Sequence, residues 1–155
     1  MQRRSVFRYI DRYIGIPILI LLGILLKRRK RLPIENIKKI LIIKLAAIGD
    51  SILLIPMLRT LRKSFPDSEI SFVCSSINRS VVDKIPYLNK IINCEIYSFL
   101  KSPLNFIRFI SLLRRENYDV VIDAGQWERI NSIITILIRY QFSIGFKTKK
   151  QYNNR

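Results

Sequence analysis

The apolar positions of this chain change their period along its length. Residues 14–26 are apolar without a break except at Gly15, Pro17 and Gly23, and cations flank them on both sides. From residue 40 onwards, short apolar runs alternate with amphipathic stretches. Residues 40–45 (Ile-Leu-Ile-Ile-Lys-Leu) are β-branched and nearly all apolar, which predicts a strand buried on both faces of a parallel sheet. Residues 46–50 predict a short turn. Leu54, Met57, Leu58, Leu61 and Phe65 then fall at i, i+3, i+4, i+7 and i+11, one face of a helix that Pro56 should kink or loosen. A second strand is predicted at 69–74, a short helix at 80–84 and a third strand at 90–92. In a helix over 103–116, Leu104, Ile107, Ile110 and Leu113 keep the period. A strand at 119–123, a helix at 129–140 and a short strand at 142–146 complete the pattern. Strands alternating with helices imply right-handed βαβ units, hence an α/β fold with a parallel sheet and flanking helices.

The first 33 residues read as a separate segment, a hydrophobic and basic helix with a linker, ahead of a globular domain over 34–155. Arg3, Arg4, Arg8 and Arg12 precede the apolar run, and five consecutive cations follow it. Thirteen residues make about 20 Å of helix. A bilayer core is about 30 Å thick, so the run is short for a span. Cations stand where a signal peptide would need a small-residue cleavage site. The reading is therefore a monotopic insert: Ile14, Ile18, Leu21, Leu22 and Leu25 dip into one leaflet, and Lys27, Arg28 and Arg29 meet anionic head groups. Packing of this helix on the domain behind it and a true span are the alternatives.

Charge sharpens this picture. Twenty-eight Lys and Arg against eleven Asp and Glu leave +17, and residues 1–39 alone hold eleven basic and two acidic residues, or +9. A nucleic-acid binder is disfavoured, because the cations cluster beside an apolar insert rather than on a soluble basic face. The chain has no His, which excludes Ser–His and Cys–His pairs and His metal ligands. Two cysteines, Cys74 and Cys94, make neither a zinc site nor a disulfide scaffold and read as small buried hydrophobes in a reducing compartment. No metal and no cofactor is expected.

In an open parallel sheet, ligands bind beyond the carboxyl ends of the strands. Two turns fall there: residues 44–51 (Lys-Leu-Ala-Ala-Ile-Gly-Asp-Ser) and 123–129 (Asp-Ala-Gly-Gln-Trp-Glu-Arg). Neither is a G-x-G-x-x-G fingerprint or a P-loop. Asp50 has two readings: a cap on the following helix, or a general base aimed into a cleft.

These residues resemble a known family. Residues 40–66, from the first strand through Ala46-Ala47-Ile48-Gly49-Asp50 to Phe65-Pro66, look like the opening of glycosyltransferase family 9, the heptosyltransferases of lipopolysaccharide core synthesis and their relatives. Tyr118-Asp-Val-Val-Ile-Asp123 is similar to a later strand of that family. Gln126-Trp127-x-Arg129, residues 144–148 with Gln151, and the arginine-flanked leader are similar to a subgroup. The match covers about residues 8–151, and Gly49-Asp50 is its most specific part. Ala46 and Ala47 stand where many members carry hydroxyl residues.

The resemblance implies the N-terminal half of a GT-B fold, in which two Rossmann-like domains face each other across a cleft. It implies an inverting, metal-independent transfer of a heptose-like sugar from an ADP-activated donor to a lipopolysaccharide-core or similar lipid-linked acceptor. Asp50 is the implied catalytic base. Lys44, Gly49, Ser51, Asp123, Gln126, Trp127 and Arg129 are implied to bind the acceptor. The expected location is the cytoplasmic face of a bacterial inner membrane. The donor-side half lies beyond Arg155, so a truncated chain, inactive by itself, is expected. A non-catalytic membrane-associated remnant or interaction module is the alternative.

Overall fold

The computed structural model describes residues 37–125 and 129–146, and for Arg129 the backbone alone. The leader, with Ile14, Ile18, Leu21, Leu22, Leu25, Lys27, Arg28 and Arg29, lies outside the described residues, as do Gln126 and Trp127.

Eleven elements follow one another: β1 (Lys39–Ile43), α1 (Ile48–Leu53), α2 (Ile55–Ser64), β2 (Glu69–Cys74), α3 (Arg79–Val82), β3 (Lys90–Asn93), α4 (Ile96–Lys101), α5 (Pro103–Glu116), β4 (Tyr118–Asp123), α6 (Arg129–Leu137) and β5 (Tyr140–Gly145). The five strands form one parallel sheet in the order β3-β2-β1-β4-β5. This is a Rossmann-like half of the kind from which a GT-B fold is built. The central strand β1 pairs on both sides, Ile43 standing opposite Val73 of β2 and Asp123 of β4.

Strand alternation divides the core in two. Ile40 and Ile42 face one layer with Leu58, Ile70, Phe72, Val82 and Val120. Leu41 and Ile43 face the other with Val73, Ile110, Leu113, Val121 and Ile134. The central strands are largely apolar because helices cover both faces of the sheet, with polar exceptions such as Glu69 and Ser71 of β2 and Asp119 and Asp123 of β4. Cys74 and Cys94 are free and buried, one in each layer, as small hydrophobes.

The helices depart from expectation in four places, one being α6, which stops at Leu137 rather than residue 140 because β5 already begins at Tyr140. Pro56 does not kink one helix but separates two. It sits in the first turn of α2, where its missing N–H needs no partner, and α1 ends before it. A six-residue helix, α4, fills the connection after β3. On α5 the buried side chains are Ile110 and Leu113, with Phe106 and Phe109 packed beside them. Leu104 and Ile107, expected on the same apolar stripe, are 60% exposed. Asn117 ends α5 in the left-handed region at φ 50°, a conformation that Asn tolerates.

Candidate functional site

Strand order reverses between β1 and β4. The chain first steps outward from β1 to β2 and β3, then crosses back through α5 to β4 on the other side. The connections leaving β1 and β4 therefore diverge and open a crevice beyond their carboxyl ends, the usual ligand position in such a sheet. Both turns singled out from the sequence leave from this point.

The β1–α1 turn carries the main charge constellation. Lys44 follows β1 directly and is buried. Its Nζ lies 2.7 Å from Oδ2 of Asp50, with the lysine side chain 4% and the aspartate side chain 54% exposed. A buried ammonium thus holds a carboxylate that faces solvent. Asp50 is the third residue of α1, inside the helix. The N-cap position is held by Ala47, with no side-chain capping bond. The capping role considered for Asp50 is absent; its partner is Lys44. The Ala46–Ala47 peptide in this turn is cis. Gly49 has open space around it, since a Cβ there would meet nothing within 4 Å.

A buried amide fixes the turn. Asn78, in the β2–α3 connection, donates from Nδ2 to the Lys44 carbonyl at 2.9 Å and to Ser51 Oγ at 2.8 Å. Its Oδ1 accepts from the Ser75 amide at 3.0 Å. Ser75 Oγ in turn donates to the Leu45 carbonyl. Sequence reading missed Asn78. The only available signal was an Asn three residues after the serine that follows β2, which is a common turn pattern.

Ser51 and Asp123, expected to bind the acceptor, are both buried in this domain. Ser51 is fully buried, donating to the Ala47 carbonyl at 3.0 Å and accepting from Asn78. It sits one residue past Asp50, on the inward side of the first helical turn. Asp123 is also buried. Its Oδ1 accepts from the Gly125 amide at 2.9 Å and its Oδ2 from Ser132 Oγ at 3.3 Å. It ties the β4–α6 turn to α6 rather than reaching outward. Gly125 is required there, because a Cβ would come within 2.1 Å of the Asn131 side chain. Of the second turn's other expected residues, Arg129 opens α6 and Gln126 and Trp127 lie outside the described residues.

The structure thus brings Lys44, Gly49 and Asp50 together on the open side. On α1, Ile48, Ile52 and Leu53 are exposed, Leu53 to 78%, as is Ile77 in the β2–α3 connection. Among the described residues, no three His, Cys, Asp or Glu side chains group as a metal site, and no helix is long and apolar enough to cross a membrane.

Fold and crevice define the class: a Rossmann-like α/β domain of GT-B type, with a lysine-held carboxylate at its switch point. The chain resembles glycosyltransferase family 9, and solved structures bear out that resemblance. It is similar to a glycosyltransferase family 9 structure from Veillonella parvula, at 26% identity and a TM-score of 0.56 over 76% of this chain and 33% of that one. It is also similar to the heptosyltransferase WaaC from E. coli, solved with ADP-2-deoxy-2-fluoro heptose, at 23% identity and a TM-score of 0.61 over 73% and 38%. The ADP-heptose lipopolysaccharide heptosyltransferase II of E. coli aligns at 20% identity and a TM-score of 0.57 over 69% and 30%. The chain spans about a third of the length of these structures. No protein-family profile and no curated protein sequence matches it.

Proposed function

We propose that this chain is the acceptor-side domain of a heptosyltransferase-like glycosyltransferase. The observation that carries the reading is the Lys44–Asp50 pair at the carboxyl edge of the central strand. A transfer with inversion is a single displacement: the acceptor oxygen attacks the anomeric carbon, the bond to the nucleotide diphosphate breaks, and the acceptor proton must leave. In this reading Asp50 takes that proton. Lys44 fixes the carboxylate's position and sets its charge against a buried cation. Gly49 leaves room for the acceptor hydroxyl to approach.

The donor class is an ADP-activated, heptose-like sugar. Support comes from the similar heptosyltransferase WaaC, solved with ADP and with ADP-2-deoxy-2-fluoro heptose. A donor-binding half joined to this domain would hold the nucleotide and stabilise the leaving diphosphate. The acceptor class is a lipopolysaccharide core or a similar lipid-linked sugar, which the exposed apolar side chains of α1 suit. Such an acceptor is met at a membrane surface, so the working location is the cytoplasmic face of a bacterial inner membrane. The leader would help hold the protein there. Flotation of the chain with and without residues 1–33 on anionic vesicles tests the leader, and equal binding of both forms would refute that part.

The test of the activity is product formation. The chain joined to a donor-binding half is incubated with ADP-heptose and a lipopolysaccharide-core acceptor truncated before its heptose, and the product is read by mass. Addition of one heptose to the acceptor supports the reading. Absence of transfer under conditions where a heptosyltransferase control turns over refutes it.

A further inference from the structure

Helix α5 exposes a face that the core does not use. Leu104, Ile107, Arg108, Ser111 and Arg115 fall at i, i+3, i+4, i+7 and i+11, all exposed, on the side away from buried Ile110 and Leu113. Helix α4 continues this surface with exposed Tyr97, Leu100 and Lys101. From residue 96 to 115 there are four cations and no acid. A cleft of about 500 Å³ opens between α5 and the end of α6, its apolar walls supplied by Ile107, Ile110 and Leu137 and its charge by Arg114, Arg115 and Arg139. Among the described residues, none of Lys101, Arg108, Arg114, Arg115 and Arg139 is ion-paired.

Large apolar side chains beside unpaired cations on one helical face are the composition of an interfacial helix. The charge decides what covers it. The leader is itself strongly basic, and a second copy of the chain carries +17, so both would meet like charge. An anionic lipid surface is complementary in both respects: its head groups pair with the cations, and its acyl region takes up Leu100, Leu104 and Ile107. We infer that the α4–α5 face docks on anionic membrane lipid, with the arginine-rimmed cleft receiving a phosphate head group. This contact lies in the folded domain, and neither the leader nor the Asp50 site enters into it.

The full chain carrying Leu104→Cys tests the inference, labelled there with an environment-sensitive fluorophore. Cys74 and Cys94 are buried, and burial pushes both thiols up, Cys94 to about 12, so labelling at neutral pH goes to the introduced thiol. With phosphatidylcholine vesicles containing 30% phosphatidylglycerol (a composition chosen as roughly that of a strongly anionic leaflet), the label should shift to the blue. With pure phosphatidylcholine it should not. A label at Thr60→Cys on α2 should respond to neither. Each cation near an anionic surface strengthens partitioning roughly fivefold. The triple variant Arg108→Glu/Arg114→Glu/Arg115→Glu should therefore weaken vesicle binding by roughly 10²-fold or more. The equal charge change Arg59→Glu/Lys63→Glu/Lys84→Glu, on exposed positions elsewhere, should weaken it less. Circular dichroism of each variant confirms the fold. If the chain binds vesicles while the label at position 104 stays in water, binding runs through the leader alone and the inference fails, leaving the acceptor site untouched. A label that responds to an oligonucleotide and not to vesicles also overturns it.

Discussion

Lys44 and Asp50 can be separated only if the pair is treated as a unit. Asp50→Asn alone leaves a lysine ammonium that is 4% exposed without its counter-charge. Such uncompensated charge destabilises, so lost activity in that variant would be ambiguous. Lys44→Met removes the buried charge and keeps the volume, and replacing a buried ion-pair partner together with its mate is near neutral. The informative comparison is therefore Lys44→Met against Lys44→Met/Asp50→Asn, in a protein where the donor half is present. Both should fold. The second should lose a further 10²–10⁴-fold in kcat, roughly the worth of a general base. Equal kcat in the two variants would remove Asp50 from the chemistry. The glycines make a second pair of opposites. Gly125→Ala forces a Cβ to within 2.1 Å of the Asn131 side chain, and overpacking of this kind costs about 1–3 kcal/mol. Gly49→Ala meets open space inside a helix, so thermal unfolding should show it stabilised by about 0.5–1 kcal/mol. If the acceptor enters above Gly49, the same variant should raise KM for acceptor. An unchanged KM would place the acceptor elsewhere.

At the scale of elements, period carried most of what the sequence disclosed. The three central strands were legible because parallel strands covered on both faces read as mostly apolar runs, and the edge strands β3 and β5, only partly buried, showed as short apolar stretches between helical patterns. Helix α5 was legible in extent but not in orientation. Four apolar residues at helical spacing and two phenylalanines compete for one core face, and packing against β4 and α6 chose Phe106, Ile110 and Leu113. Six-residue α4 is too short to show a period. Asp50 and Lys44 were legible as types in a turn, yet their pairing depends on the path of the turn. Asn78 was illegible, since its role lies in atoms donated by another connection. The amino edge of the sheet gives a prediction of its own. Glu116, at the end of α5, pairs with Lys39 of β1 at 2.9 Å and with Lys90 of β3. Hydrogen bonds from Lys90 and Lys39 lower its carboxyl below the ordinary 4.5. A depressed carboxyl stabilises fully above pH 4.5, and the contribution is lost as pH falls through the depressed folded value. Hydrogen bonding to Glu116 raises Lys39 above its ordinary 10.5, so that share is lost only as pH rises past it. Glu116→Gln should cost about 1 kcal/mol at pH 7, the scale of partly exposed pairs. In urea titrations, the difference from the unaltered chain should vanish on acidification below pH 4.5. A difference that persists unchanged to pH 2 would show that the carboxylate's charge is not the stabilising feature.

At the scale of the whole molecule, the sheet order that makes the crevice also limits what one domain can do. The switch point places Asp50 at an open edge, and the described residues form one wall of the crevice. A displacement needs the acceptor oxygen and the anomeric carbon held about 3 Å apart and in line, and that positioning supplies a large share of the rate. It also needs donors aimed at the departing diphosphate. Among the described residues, the β1 turn at the carboxyl edge presents the solvent-facing Asp50 carboxylate, buried Lys44 and exposed apolar side chains of α1. These suit proton removal and acceptor contact, and none of them grips a nucleotide. The chain spans 38% of the length of the similar heptosyltransferase structures solved with ADP or an ADP-sugar. These 155 residues alone should therefore fold cooperatively on their two-layered core and still bind ADP-heptose no better than a control protein. Calorimetric titration with ADP-heptose should give no saturable heat, and incubation with donor and acceptor should release ADP at the uncatalysed rate. Adding a donor-binding half should create both signals together, because binding and turnover arise from the same second wall. Saturable donor binding by the 155 residues alone would show that the crevice holds the nucleotide itself. Lys44 would then be the first cation to test as its phosphate contact, with Asp50 reassigned from base to partner.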